Sequence, residues 1–246
     1  MKSSDKHDPR SQTQICTLLV IGGLLLAGAA HGRAGQTPKV APRDSAPYGK
    51  TYGQWAVAYW QWALGIPAAN NPLLDDTGAS AGVGQSGPVW FLGGTFGNSV
   101  ERTLTIPPGK GIFMPVHQWI FGSCAGDCEP SHPGVACDVP TLQAAAAAAA
   151  TAVQTMDVSI DGKAVAQIRN YRAVSPGGFS VTLPEGNVLE GFGLPTPAGT
   201  YAPQVADGYW LMLMPLAAGK HTIQLHVVNP TYGSDYVIIY HITVTT

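Results

Sequence analysis

Three cysteines in one loop are the residues of this sequence whose chemistry is easiest to assign. In an oxidising compartment two of Cys124, Cys128 and Cys137 are expected to pair, which leaves the third free or intermolecular. Closure as Cys128–Cys137, or alternatively as Cys124–Cys137, avoids the tight geometry that a Cys124–Cys128 bond would require. The rival is a tetrahedral metal site that adds His132 or His117, but the cysteine spacing is loose for zinc. The sequence therefore predicts a disulfide and no metal.

Tryptophans are the next candidates, because a flat aromatic ring can stack on the C–H face of a sugar ring. Trp55, Tyr59 and Trp62 recur at helical spacing, which is more typical of the buried side of a helix than of a stacking platform. Trp60 falls on a different side of the same helix. The residues expected to contact a ligand are Trp60, Trp90, Trp119 and Trp210, together with Asp75, Asp76 and Asp207.

Acidic side chains supply an alternative function, a polysaccharide hydrolase or lyase. Cleavage of a glycosidic bond needs two carboxylates that face each other across a cleft. The available residues are Asp75, Asp76, Glu101, Glu185, Glu190 and Asp207. No pattern shows which of them converge, and a Gly-x-Ser-x-Gly elbow, a His-Glu-x-x-His pair and a phosphate-binding glycine loop are all missing from the sequence. We therefore assign no catalytic residue and expect no cofactor.

Histidines near the C-terminus allow the pairing of the last two strands to be predicted. If residues 229–234 form the turn, Val228 lies opposite Asp235. His226 then faces Val237 and His241 faces Thr222, too far apart to share one ion.

The first thirty residues have the three parts of a secretory signal. Basic residues precede an apolar run from Ile15 to Ala30, and small residues close that run. The run is short and contains glycines, so a cleaved signal is favoured over a retained membrane anchor. We expect a secreted or periplasmic protein with no membrane span after cleavage. A cut after Ala30 would leave His31 at the N-terminus, where its amine and ring could bind copper with a second histidine: His117, His221, His226 or His241.

The charge of the chain excludes some partners. Residues 1–30 contain three of the 13 basic and two of the 15 acidic residues, so the remainder carries a net charge of −3. This balance argues against nucleic acid or an anionic membrane as a partner. Charged residues make up 11% of the chain, and it contains 30 glycines and 20 prolines, which indicates many turns.

The elements that must position these residues are mostly strands. Residues 31–50 are predicted to be a flexible lead-in, and residues 51–246 a single β-rich domain, with a sub-boundary near residues 140–156 as an alternative. Helices are predicted over residues 51–64 and 140–156. Strand patterns follow from residue 102 onward, and that at residues 110–116 is expected to end before a loop. The predicted fold is mainly β, an antiparallel β-sandwich resembling a jelly roll, with two packed α-helices.

Several strings resemble those of a family of secreted bacterial proteins to which no activity is assigned. They are TYGQWAVAYWQW, NPLLDDTG, GQSGPVWFLGGTFG, ERTLTIPPGK and ADGYWLMLMPLAAGKHTI, and they span most of the chain after residue 50. The resemblance implies a secreted β-rich fold and transfers no catalytic residue. Members of that family often carry cysteines near the positions of Ala81 and Leu104, so the corresponding disulfide would be absent here.

Export, low charge and abundant aromatic residues favour a non-enzymatic binding protein. The expected partner is a carbohydrate, a cell-envelope component or another protein.

Overall fold

A computed structural model describes residues 38–128, 134–192, 194 and 196–246. The predicted signal, residues 31–37 of the lead-in (among them His31) and His132 lie outside these residues. In chain order the helices and strands are α1 (Tyr52–Leu64), β1 (Val89–Phe91), β2 (Val100–Ile106), β3 (Gly111–Gly122), α2 (Val139–Thr151), β4 (Thr155–Ile160), β5 (Lys163–Ala164), β6 (Arg172–Val174), β7 (Phe179–Leu183), β8 (Gly199–Leu213), β9 (Gly219–Asn229) and β10 (Ser234–Val244). Among the described residues, no helix is long and apolar enough to cross a membrane.

Two five-stranded sheets form the β-sandwich. Sheet 1 has the order β1-β3-β8-β6, with β7 pairing to a separate part of β8, and sheet 2 has the order β2-β10-β9-β4-β5. The predicted mainly β fold with two helices is confirmed. The sheets are mixed rather than purely antiparallel, because β1 runs parallel to β3 and β2 runs parallel to β10. The short turn at residues 107–109 joins β2 in one sheet to β3 in the other, so these neighbours in sequence do not pair.

Sheet 1 is buried on both faces. One face packs on sheet 2 through side chains such as Met114 and Leu211, which meet Leu225 and Ile238 in one apolar core. The other face packs on α1. This double covering explains why the stretch from Gln204 to Leu213 in β8 is continuously buried, whereas β2 in sheet 2 alternates between buried and exposed residues.

Helix α1 begins at a capping box and lies on sheet 1. The Thr51 backbone N–H donates to Gln54 Oε1 at 2.9 Å, and the Gln54 N–H donates to the Thr51 hydroxyl. Trp55 and Tyr59 are buried on the packed side, as their helical spacing predicted.

Helix α2 covers an end of sheet 1 that sheet 2 leaves open. It begins at Asp138, whose carboxylate accepts the Thr141 N–H at 3.0 Å. Leu142 and Ala146 pack on Val205 of β8. The helix ends at Thr151, earlier than the predicted residue 156, because residues 155–156 pair with β9 and start β4.

The two ends of the sandwich differ in their connections. At the end that we call the turn end, short turns at residues 107–110, 161–162 and 214–218 join the strands. At the opposite end, the loop end, lie the longer segments after β1, after β3 and before β8, and the turn at residues 230–233 between β9 and β10.

The predicted Cys128–Cys137 disulfide is confirmed, and the alternative Cys124–Cys137 is not formed. The bond closes a loop within the segment that leads from β3 into α2. Cys124 is free and 1% exposed, and burial, helped by the nearby Asp127 charge, raises the pKa of its thiol to about 12. Its Sγ lies 3.0 Å from Gln204 Oε1.

Removal of this disulfide should cost roughly 2.5 kcal/mol of unfolding free energy, because a bond across nine positions restricts the unfolded chain. Urea unfolding of Cys128→Ser/Cys137→Ser against the parent measures the loss. Cys124→Ser is the matched control, and a loss of equal size in that variant would show that the cost comes from the loop environment rather than from the bond.

Candidate binding site

A β-bulge in β3 turns a row of side chains toward sheet 2. The register with β8 shifts between Pro115 and His117. Before the bulge the even-numbered Ile112 and Met114 lie in the core between the sheets. After the bulge the odd-numbered His117 and Trp119 lie opposite Tyr209 and Asp207 of β8. Without the bulge these odd-numbered side chains would face α1, and with it they face sheet 2.

His117 is a buried anchor for Trp119. The imidazole is 3% exposed, and its Nε2 lies 3.0 Å from Trp119 Nε1 and 3.1 Å from Asn229 Nδ2. Because both of these groups donate, Nε2 must accept, and the ring carries its proton on Nδ1, which lies 3.4 Å from Tyr236 Oη. Burial lowers the pKa of His117 to about 4. The neutral ring therefore fixes the orientation of the Trp119 indole.

Tyr232 covers Trp119 at the loop end. Their ring centroids are 4.4 Å apart with an interplanar angle of 49°, and Tyr232 is 43% exposed. Tyr232 ends a short 3-10 turn that begins at Pro230 and is followed by Gly233 in the left-handed region at φ 63°. The result is an exposed aromatic ring that rests on a second, anchored ring.

More apolar surface lies at the same end. Phe96 and Phe192, from the loops after β1 and before β8, have ring centroids 3.8 Å apart. Among the described residues five large apolar side chains are exposed, and four of them are on loop-end segments: Phe96, Phe192, Leu194 and Tyr232. Exposed apolar side chains concentrated at one end of a domain are typical of a binding surface.

Three of the four tryptophans expected to contact a ligand lie in the core, so that expectation is corrected for them. Trp60 is 4% exposed, Trp90 9% and Trp210 0%. Trp210 stacks on Phe113 with centroids 5.2 Å apart and an interplanar angle of 8°. The double covering of sheet 1 buries Trp90 against sheet 2 and Trp210 against α1, and Trp60 of α1 lies in the same buried cluster as Trp210. Trp119 remains as the candidate, half-buried beneath Tyr232.

The three predicted aspartates have different surroundings. Asp75 accepts from the Ser80 N–H and the Thr77 hydroxyl, each at 2.7 Å; burial by itself would raise its pKa, but these hydrogen bonds outweigh it and the pKa is lowered. Asp76 is exposed and accepts from Asn98 Nδ2 at 3.2 Å. Asp207 is 1% exposed and paired with Arg172. It therefore cannot reach a ligand, which corrects the expectation for Asp207.

The histidines of β9 and β10 lie where the predicted pairing of these two strands places them. Val228 pairs with Asp235, His226 with Val237 and His241 with Thr222, which confirms the predicted pairing. Three side chains lie beside carboxylates: His226 by Asp235, His241 by Glu101 and His221 by Asp161. Within the described ranges, no group of three His, Cys, Asp or Glu residues could hold a metal ion.

Sequence reasoning did not find Tyr232, Phe96 or Phe192, or the role of His117. Tyr232 lies inside a turn flanked by Pro230 and Gly233. A large aromatic residue in a tight turn has little chance of being buried, and this is a signal that could have identified it.

Comparisons with known proteins add little. The chain matches no protein-family model and no curated protein. A solved structure of PbICP-C in complex with falcipain-2 is similar at 11% identity with a TM-score of 0.22, over 65% of this chain and 100% of that chain. A likeness this low carries no argument about fold or function.

Proposed function

We propose that this protein is a non-catalytic carbohydrate-binding protein whose ligand stacks on Tyr232. The observation that carries the proposal is the exposed Tyr232 ring resting on Trp119, whose indole N–H is held by the buried His117. An aromatic ring that is both exposed and supported offers apolar area at a low entropic cost of ordering. A sugar ring, which has an apolar C–H face and a polar edge, matches such a surface.

Polar side chains on the two strands that flank the Tyr232 turn can serve the hydroxyl groups of a sugar. Asp235 is the second residue of β10, three positions after Tyr232, and its side chain is 73% exposed. His226 Nε2 lies 2.9 Å from Asp235 Oδ1 and is also accessible. Ligand sites in general combine aromatic surface with a few such polar groups. Because Asp235 is an exposed carboxylate, a neutral or amino sugar fits better than an acidic one.

The surroundings of the carboxylates favour binding over hydrolysis. Asp75 is engaged within its own loop, and Asp207 is buried in an ion pair. Glu101 lies 2.7 Å from His241 on sheet 2, and Glu190 accepts from Asn187. A glycosidase needs an acid and a second carboxylate that face each other across an open cleft, and none of these groups is arranged in that way.

Substitution of Tyr232 tests the proposal. We expect Tyr232→Ala to weaken sugar binding about tenfold, because it removes the stacking surface, whereas Tyr232→Phe keeps the ring and should bind within about threefold of the parent. A glycan array on the exported protein identifies the sugar, and calorimetric titration of that sugar measures the affinities. Val174→Ala, which alters an exposed apolar residue on β6, is the surface control.

Two results would contradict this assignment. One is equal sugar affinity for Tyr232→Ala and the parent. The other is a purified protein partner whose affinity falls in Phe96→Ala and Phe192→Ala but not in Tyr232→Ala, since that would place the binding surface on the Phe96–Phe192 pair and make the ligand a protein.

The proposal includes export. The disulfide is compatible with an oxidising compartment. N-terminal sequencing of the protein recovered after export would identify the cleavage position, and a cut elsewhere than after Ala30 would exclude His31 as a terminal copper ligand.

A further inference from the structure

Four of the five lysines that the structure describes lie at or near the turn end. Lys110 is the last residue of the turn before β3 and its Nζ donates to the Gly87 carbonyl, Lys163 is the first residue of β5, and Lys220 is the second residue of β9. Lys39 lies beside the end of β8, since its carbonyl accepts the Met214 N–H at 2.8 Å. The fifth, Lys50, lies beside α1, with its Nζ 4.8 Å from the centroid of the Trp55 ring. Four of the five side chains are exposed, and Lys110 is half-buried.

Carboxylates are sparse at this end. Among the described residues of the three turns, Asp161 is the acidic one, and it is engaged by His221 Nδ1 at 2.8 Å and by the Thr222 N–H at 2.9 Å. Of the other exposed carboxylates, those of Asp76, Glu185, Glu190 and Asp235 lie toward the loop end, and that of Asp44 is paired with Arg43 at 2.7 Å. The net charge of −3 argued against an anionic membrane as a partner. That net charge is a sum over the whole domain, whereas the lysines and many of the exposed carboxylates lie at opposite ends.

The turns between these lysines expose small apolar residues: Pro107 and Pro108 in one turn, and Ala217 and Ala218 in another. Their side chains are short, so they would not hold the neighbouring ammonium groups away from a membrane surface.

We infer that the turn end binds the surface of an anionic phospholipid membrane, as a peripheral contact. The lysine ammonium groups would lie at the level of the lipid phosphates, with the proline and alanine turns between them. Electrostatic attraction to an anionic membrane contributes about fivefold in affinity for each lysine that reaches the surface. Tyr232, at the opposite end, would then point away from the membrane.

Vesicle binding tests the inference on the protein recovered after export, once mass spectrometry has verified that the signal is absent. We expect it to sediment with vesicles of 70% phosphatidylcholine and 30% phosphatidylglycerol, but not with pure phosphatidylcholine. High salt should release it, because screening shortens the range of the attraction. The triple variant Lys39→Gln/Lys163→Gln/Lys220→Gln should bind about a hundredfold more weakly.

A compensated variant separates local charge from net charge. It combines the three lysine substitutions with Asp76→Asn, Asp157→Asn and Glu185→Gln, which are exposed positions and restore the parental net charge. We expect it to bind as weakly as the triple variant, with unchanged thermal unfolding in both. The inference would be overturned if the parent failed to bind anionic vesicles or if either variant bound them as tightly as the parent. It would also be overturned if a soluble acidic polysaccharide competed for the protein more strongly than the vesicles do.

Discussion

The free energy of unfolding should fall by about 3 kcal/mol between pH 6.5 and pH 4 because of His117. Burial lowers the pKa of this ring from 6.5 to about 4, whereas the unfolded chain keeps the ordinary value. Between these two values the unfolded state binds the extra proton, so stability rises with pH in this window and is lost as pH falls through it. Below the folded pKa both states are protonated and the loss stops.

Protonation of His117 also breaks its contacts. Nε2 accepts from Trp119 and Asn229, and a protonated Nε2 would place its own hydrogen against both donors. The acid transition should therefore release the Trp119 indole.

Denaturant unfolding at a series of pH values, for the parent and for His117→Gln, measures the effect. The variant lacks the titrating ring but keeps a hydrogen-bond acceptor, so we expect lower stability at pH 7 and a flatter profile from pH 6.5 to pH 4. His221, His226 and His241 are present in both proteins, so their contributions cancel in the difference between the two pH profiles of unfolding free energy. Parallel pH profiles for the two proteins would show that His117 does not cause the acid loss.

Arg172→Met should destabilise the protein by about 3–5 kcal/mol, because it leaves a buried carboxylate without its counter-charge. Asp207 is 1% exposed, and both of its oxygens accept from Arg172, at 2.9 and 2.7 Å. The same guanidinium also donates to the Thr151 hydroxyl and the Ala147 carbonyl of α2. The pair therefore joins β6, β8 and the end of α2.

The partner substitution should cost less. The Arg172 side chain is 32% exposed and can be solvated after Asp207→Asn, so we expect a loss of about 2 kcal/mol. The double variant should be more stable than Arg172→Met alone, since it contains no unpaired buried charge. Urea unfolding of the four proteins gives the coupling energy, and strictly additive losses would mean that the two charges do not interact.

Local patterns were sufficient to predict the C-terminal hairpin and the disulfide. The turn at residues 229–234 and the alternation of Ile223, Leu225 and Val227 together determine the register of β9 and β10, because a shift by one residue would expose the whole apolar face. The disulfide followed from the small number of cysteines and the geometry of short loops.

The candidate site could not be predicted in the same way. The bulge between Pro115 and His117 interrupts the alternation of β3, so the pattern ended the strand at residue 116, whereas the strand continues to Gly122. Burial of Trp90 and Trp210 depends on α1 and sheet 2 covering opposite faces of sheet 1. These are contacts between distant parts of the chain, and no local pattern encodes them.

The position of β10 has a consequence for how the protein folds. This last strand is internal in sheet 2, between β2 and β9, and its Val237 N–H donates to Ser99, 138 positions earlier. Such high contact order slows folding, and β2 has no neighbour in its sheet until the final residues are available. A chain that crosses a membrane N-terminus first would therefore remain incompletely folded until its C-terminus emerges, and truncation there would remove the strand that joins β2 to β9.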